Sequence, residues 1–292
     1  MSQDLLAKIA SMNGKLSKGQ RLIANYIVHH YERAAFMTAQ KLGTAVGVSE
    51  STVVRFAYEI GYDGYPRLQR ALQELIRNRL TSAQRMEVTG EQIGEEDVLQ
   101  KILSLDIERI RSTVQQVSPE AFNRAVDAIT SAQNIYILGI RSASALANFL
   151  YFYFNHIFKD LRLVSSSSSS EVFEQIYHIG PRDLLIPITF PRYSQRSIRA
   201  AQYAKSAGAA VLGITDTEHS PIAPYCDHLL CARSDMVSFV DSLVAPLSLI
   251  NALIVAVGMR KKAETVGAYR ELEDIWTEYH VYESASEGEA FP

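Results

Sequence analysis

The chain is poor in cysteine and has no long apolar run. Cys226 and Cys231 are the only cysteines in 292 residues. Their spacing is not that of a metal-ligand pair, and no cysteine or histidine set around them completes a zinc site. Both thiols are expected to be buried apolar filler, and no metal or cofactor is expected. No stretch of about 18 apolar residues occurs, so no membrane-spanning helix is expected. The start, MSQDLLAKIA, lacks the basic region, apolar run and cleavage site of a secretory signal. A reducing, cytoplasmic setting fits these absences. Catalytic signatures are scarce as well, because no acid–base constellation stands out. Glu174 and His178, four apart, read as a solvated helical face rather than a catalytic pair.

What is present is uneven in charge. Residues 1–80 hold eleven Lys and Arg against six Asp and Glu; the remainder holds 18 against 26, and the whole chain is −3. A basic amino-terminal segment on a mildly acidic body suits an arm that meets phosphates. With 47% hydrophobic and 21% charged residues, the chain can bury cores, and its length suits roughly two domains.

Residues 38–56, TAQKLGTAVGVSESTVVRF, read as two short helices joined by a tight turn. Thr38 caps the first, whose apolar face is Ala39, Leu42, Ala45 and Val46. Gly47 ends it where a left-handed residue is needed. Ser49 caps the second, and Val48 with Val53 forms a hydrophobic staple. Glu50, Ser51, Thr52 and Arg55 remain on the outer face with Ser49, as candidates to touch double-stranded DNA. Ser and Thr bond bases or phosphates, and Arg grips a guanine edge. This is how a helix-turn-helix presents its recognition helix to the major groove. Around it, Ser17-Lys18-Gly19-Gln20 is a capping box before Leu22, Ile23, Tyr26 and Ile27. A further helix over about 66–80 places Leu68, Leu72, Leu75 and Ile76 on one face. Residues 81–96 read as a polar linker. A long helix over about 97–117 follows, and Ser118-Pro119-Glu120 starts another.

From Asn134 onward, strands alternate with helices. Strands are expected at 135–138, 161–164, 184–189, 210–214 and 228–231, with helices near 142–158, 171–179, 194–207, 222–225 and 239–259. That alternation implies a parallel five-stranded sheet flanked by helices. In such sheets ligands sit beyond the carboxyl ends of the strands. Two such ends carry anion chemistry. Gly139-Ile-Arg141-Ser142-Ala-Ser144 leads from a strand into a helix, whose free N–H groups favour an anion. Thr189-Phe-Pro-Arg192-Tyr-Ser194 does the same at a second strand. The six serines Ser165 to Ser170 follow another strand; Ser168, Ser169 and Ser170 are placed to cap the next helix and to meet ligand hydroxyls.

The whole chain resembles the RpiR/MurR family of bacterial transcription regulators. The resemblance rests on LSKGQRLIANYI, VSESTVVRFAYEIGYDGYPRLQRAL, IYILGIRSASALA and AQYAKSAGAAVLGITDTEHSPIAPYCDHLL. It covers about residues 3–80 and 118–260. It implies an all-α helix-turn-helix domain over 1–80, a linker and connecting helix over 81–117, an α/β SIS (sugar isomerase) domain over 118–262, and a carboxyl-terminal helix and tail over 263–292. It further implies a non-enzymatic regulator that senses a phosphosugar or similar anionic metabolite and works as a homodimer or homotetramer. The alternative is a sugar-phosphate isomerase with an accessory helical domain. Two departures bear on the ligand. The family's second loop resembles Ser-x-Ser-Gly-x-Thr, whereas here Pro191 replaces a serine and Arg192 a glycine. Arg141 likewise stands where the family often has glycine.

Overall fold

Caps written into the sequence set the helix ends of the amino-terminal unit. The computed structural model describes residues 2–12, 14–76, 86, 97–165, 168–234 and 240–282. The chain divides into two compact units, Met1–Leu105 with Asp235–Ser242, and Asp106–Ser234 with Leu243–Pro292. The first unit contains α1 (Ser2–Ser11), α2 (Lys18–Ala34), α3 (Ala39–Val46), α4 (Glu50–Glu59) and α5 (Tyr65–Ile76). Ser17 Oγ accepts from the Gln20 N–H at 3.4 Å while Gln20 Oε1 accepts from the Ser17 N–H at 2.9 Å, closing the capping box. Thr38 Oγ1 accepts from the Lys41 N–H at 3.1 Å, and Gly47 ends α3 at φ +75°.

Ile23, Ile27, Leu42, Val53, Phe56, Leu68 and Leu72 form the core of this unit. Two expected core residues lie outside it. Ala45 is exposed, and the buried face of α3 runs Ala39, Leu42, Gly43. Leu22 is also exposed, and Ala24 joins Ile23 and Ile27 on the buried stripe of α2. The 66–80 helix is described only as far as Ile76; residues 77–80, and the 81–96 linker apart from Met86, lie outside the described residues.

A polar stripe on α5 holds the link between α2 and α3. Tyr65, Gln69 and Gln73 are four residues apart and face the link between α2 and α3. The Tyr65 hydroxyl donates to the Met37 carbonyl at 2.7 Å, Gln69 Nε2 donates to the same oxygen at 2.8 Å, and Gln73 Nε2 donates to the Ala35 carbonyl at 3.0 Å. Partly buried carbonyls beyond the end of α2 are thereby satisfied. Tyr65 is buried, and burial raises its phenol well above the usual range, which keeps it a donor. Tyr65→Phe is expected to lower stability by only about 1 kcal/mol, since Gln69 still serves the Met37 oxygen. Chemical denaturation of the amino-terminal unit checks this.

The second unit begins within α6 (Val98–Gln116) and continues with α7 (Pro119–Ser131), capped by Ser118 Oγ accepting from the Ala121 N–H at 3.1 Å. Five strands follow: β1 (Asn134–Gly139), β2 (Leu161–Val164), β3 (Asp183–Ile188), β4 (Ala210–Thr215) and β5 (His228–Cys231). Between and after them lie α8 (Ala143–Phe154), α9 (Ser169–Ile176), α10 (Gln195–Ser206), a 3-10 turn (Ala223–Tyr225), α11 (Val244–Arg260) and α12 (Lys262–Glu278). The sheet is parallel throughout, in the order β2-β1-β3-β4-β5. Every residue of β3, the central strand, is buried, as expected of a strand covered on both faces. On one face Ile137, Ile186 and Ile214 pack against α7, α8 and α11. On the other, Leu138, Leu185 and Val211 pack against α9 and α10. No single helix among the described residues is long and apolar enough to cross a membrane.

Candidate functional site

In the amino-terminal unit, the α3–α4 turn is built on a glycine that periodicity does not single out. The Val48 N–H donates to the Gly43 carbonyl at 2.9 Å, folding the turn back over α3. A Cβ on Gly43 would lie 2.7 Å from the Val48 carbonyl oxygen, so only glycine admits this approach. The turn sets α4 with Val53 and Phe56 inward, and Ser49, Glu50, Ser51 and Arg55 exposed.

Ser49 occupies the cap position of α4, yet its hydroxyl takes no backbone N–H there. It lies 2.9 Å from both Ser51 Oγ and Thr52 Oγ1, making a three-hydroxyl cluster at the helix start. Thr52 is only half-exposed: its methyl stands 3.4 Å from where a Cβ on Gly19 would be, so it leans on the first turn of α2. Arg55 Nε donates to the Ser51 carbonyl at 3.3 Å, which aligns the side chain along the helix.

In the second unit, the strand order reverses direction at β1 and β3. β2 lies on one side of β1, and β3 with the later strands lies on the other. Chains leaving such a point diverge and open a crevice. Register places the exits side by side: Leu138 pairs with Val164, Gly139 with Ile188, and Ile188 with Ile214. The first loop, the serine run and the second loop therefore leave one edge of the sheet.

The first loop is drawn tightly under α8. A Cβ on Gly139 would lie 2.4 Å from the Ala143 carbonyl oxygen and 2.7 Å from Ala147 Cβ. Arg141 and Ser142 are exposed, and Arg141 takes the left-handed backbone at φ +60°. Ser142 holds the cap position without a side-chain cap bond. Ser144 is half-exposed. Its hydroxyl donates to the Arg141 carbonyl at 2.6 Å, so its proton is engaged inside the loop.

The second loop is anchored at both ends. The Thr189 N–H donates to the Ile214 carbonyl at 3.0 Å, and the Ser194 N–H donates to Thr189 Oγ1 at 3.4 Å. Thr189 is buried, so it braces the loop more than it offers a hydroxyl to solvent. Ser194 caps α10 by position but without a side-chain bond. Arg192 is exposed and also left-handed, at φ +64°. A residue outside the expected set completes this edge. Asp216, just past β4 and 2% exposed, accepts from Tyr193 Oη at 2.8 Å and from Thr215 Oγ1 at 3.1 Å. Only the Ile-Thr-Asp run at the strand end hints at it in the sequence.

Of the serine run, Ser166 and Ser167 lie outside the described residues. Ser168 caps α9 in a full capping box with Glu171, and Ser169 and Ser170 open the helix. Ser168 Oγ lies 3.1 Å from Ser170 Oγ. Glu174 and His178 are both exposed, and His178 falls in the turn after α9 rather than on it, so the two do not face each other across one helical turn. Burial pushes the thiols of Cys226 and Cys231 up to about 12, so both stay protonated.

Two short helices joined by a glycine-based turn on a helical unit, and a parallel five-stranded sheet whose β1 and β3 exit loops carry exposed arginines, define a helix-turn-helix protein joined to a sugar-isomerase-type domain. Two family models match in those places: a helix-turn-helix domain of the rpiR family over residues 3–79, and a SIS domain over 128–256. The chain belongs to the rpiR family of DNA-binding transcriptional regulators. Among its relatives is the HTH-type transcriptional regulator HexR of Pseudomonas aeruginosa, 26% identical over 284 residues, covering 93% of this chain and 95% of that protein. HexR of Escherichia coli is 24% identical, covering 89% and 90%. Among solved structures, the sugar isomerase domain of an RpiR transcription factor from Sphaerobacter thermophilus is 26% identical, with TM-score 0.59, over 61% of this chain and 99% of that one. NanR of Vibrio vulnificus, solved in complex with ManNAc-6P, shares the fold at TM-score 0.59 and 20% identity, over 96% of this chain and all of its own.

Proposed function

We propose that the carboxyl-terminal unit binds a phosphosugar or similar anionic metabolite at the β1–β3 edge and thereby tunes the affinity of α4 for its operator. The observation that carries this reading is the pair of exposed arginines, Arg141 and Arg192, in loops leaving neighbouring strands at the switch point. Ser142, Ser144, Ser168, Ser170, Thr189 and Ser194 are assigned as the polar groups that meet the rest of the ligand; the side chain of Ser169 lies outside the described residues. The phosphorylated ligand of NanR belongs to the same chemical class.

On the DNA side, Ser49, Glu50, Ser51, Thr52 and Arg55 meet the major groove. A palindrome requires two helix-turn-helix units, so the working form is at least a homodimer, and it acts in the cytoplasm. Ligand and operator are linked: whatever factor the metabolite imposes on DNA affinity, DNA imposes on metabolite affinity.

Fluorescence anisotropy on the chain's own upstream DNA, with and without a panel of phosphosugars, sugar acids and neutral sugars, tests both halves. A change in operator affinity with phosphosugars alone supports the reading. Indifference to every anion, together with aldose–ketose turnover in a parallel assay, would return the isomerase alternative. Arg55→Ala is expected to weaken operator binding about tenfold, near the lower end for a base-reading arginine, because Nε is already engaged by the Ser51 carbonyl. An unchanged affinity and salt slope in the folded variant would remove Arg55 from the interface.

A further inference from the structure

The loop that carries Arg192 is held by more than its two ends. Left-handed backbone costs a non-glycine residue about 1 kcal/mol or more and persists only where its surroundings over-determine it. The end anchors, Thr189 to Ile214 and Ser194 to Thr189, hold the two termini of the loop. Tyr193, the residue after Arg192, reaches across to β4 and donates to the buried carboxylate of Asp216 at 2.8 Å. Thr215 Oγ1 holds the same Oδ1 at 3.1 Å. A buried carboxylate needs such donors, so Asp216 is a fixed post rather than a mobile partner. Pro191 is buried on the other side of Arg192 and limits the backbone there.

We propose that Tyr193 is a positioning residue for the anion site: bonded to Asp216, it holds the loop in the one conformation that presents Arg192 at the strand edge. The proposal rests on the anion-site reading above. Tyr193 does not touch the ligand in this scheme. Its loss lowers the fraction of molecules in the competent conformation, and the apparent affinity falls by that fraction.

Isothermal titration of the full-length chain with glucose 6-phosphate and with inorganic phosphate tests it. Tyr193→Phe is expected to weaken binding about 5- to 10-fold, the population shift that follows loss of one hydrogen bond, with the melting temperature lowered by only a few degrees. Asp216→Asn keeps an oxygen that accepts from Tyr193 and is expected not to weaken binding. In an Arg192→Ala background, Tyr193→Phe should add no further loss, because the group it positions is gone. Full additivity in that double variant, wild-type affinity in Tyr193→Phe, or weakened binding in Asp216→Asn would each overturn the positioning role while leaving the anion site standing. A wild-type chain that binds neither probe would overturn the site itself, and the positioning role with it.

Discussion

Gly139→Ala is expected to destabilise the carboxyl-terminal unit by about 3 kcal/mol, at or above the upper end of ordinary overpacking, and to abolish its response to ligand. The added Cβ would sit 2.4 Å from the Ala143 carbonyl oxygen and 2.7 Å from Ala147 Cβ. Neither neighbour is the free end of a flexible side chain. One is backbone in the first turn of α8, and the other is a buried alanine in the second. Relief therefore requires α8 to lift from β1. That movement would carry Arg141 and Ser142 with it, because they form the connection between the two elements. For a unit of this size the loss corresponds to a fall in melting temperature of roughly 6–12 °C. Thermal unfolding of the full-length chain, followed by operator titration with and without phosphosugar, reads both effects. A variant that melts with the wild type would show that α8 is not held as tightly as its contacts indicate.

The architecture was largely legible in the sequence because it rests on period and punctuation. The segments 161–164 and 228–231 coincide with β2 and β5 to the residue. Ser17, Thr38, Gly47 and Ser118 sit where caps were expected, because a free N–H or a left-handed exit demands one of few residue types. Legibility fails where glycine or backbone conformation does the work. Gly43 has no side chain to enter a hydrophobic period, so an apolar reading of α3 passes over it and assigns Ala45 inward in its place. The stripe Tyr65, Gln69, Gln73 has the composition of a solvated face, and only tertiary placement turns it toward carbonyls. In the candidate site, residue types at the loops were legible, but hydroxyl directions were not. Ser144 and Ser49 bond inside their own loops or turns, and no spacing rule distinguishes that from facing a ligand. The role of Asp216 depends on two neighbours contributed by different strand ends, Tyr193 and Thr215. Sequence separation hides that juxtaposition.

Arg192→Ala is expected to weaken anion binding by about 10- to 150-fold, the range of a charge-assisted bond worth roughly 1.5–3 kcal/mol. Arg192 combines two features that rarely meet by accident: a cationic fork and a backbone at φ +64°. A glycine would hold that backbone without strain, which matches its place in the family's loop. Arginine stands there at a conformational cost, and an observed outlier of this kind points to function. Arg192→Lys should recover only part of the affinity, since an ammonium offers a point charge in place of two parallel donors. Arg192→Gly separates the two features, removing the guanidinium and the left-handed strain together. Its affinity should fall as in Arg192→Ala, while its melting temperature does not fall with it. Thermal-shift titration of all four proteins with phosphosugars, sugar acids and neutral sugars distinguishes the outcomes. Equal stabilisation of wild type and Arg192→Ala by a neutral sugar would mean that the crevice recognises hydroxyls alone, and that the arginine belongs to the loop's own architecture.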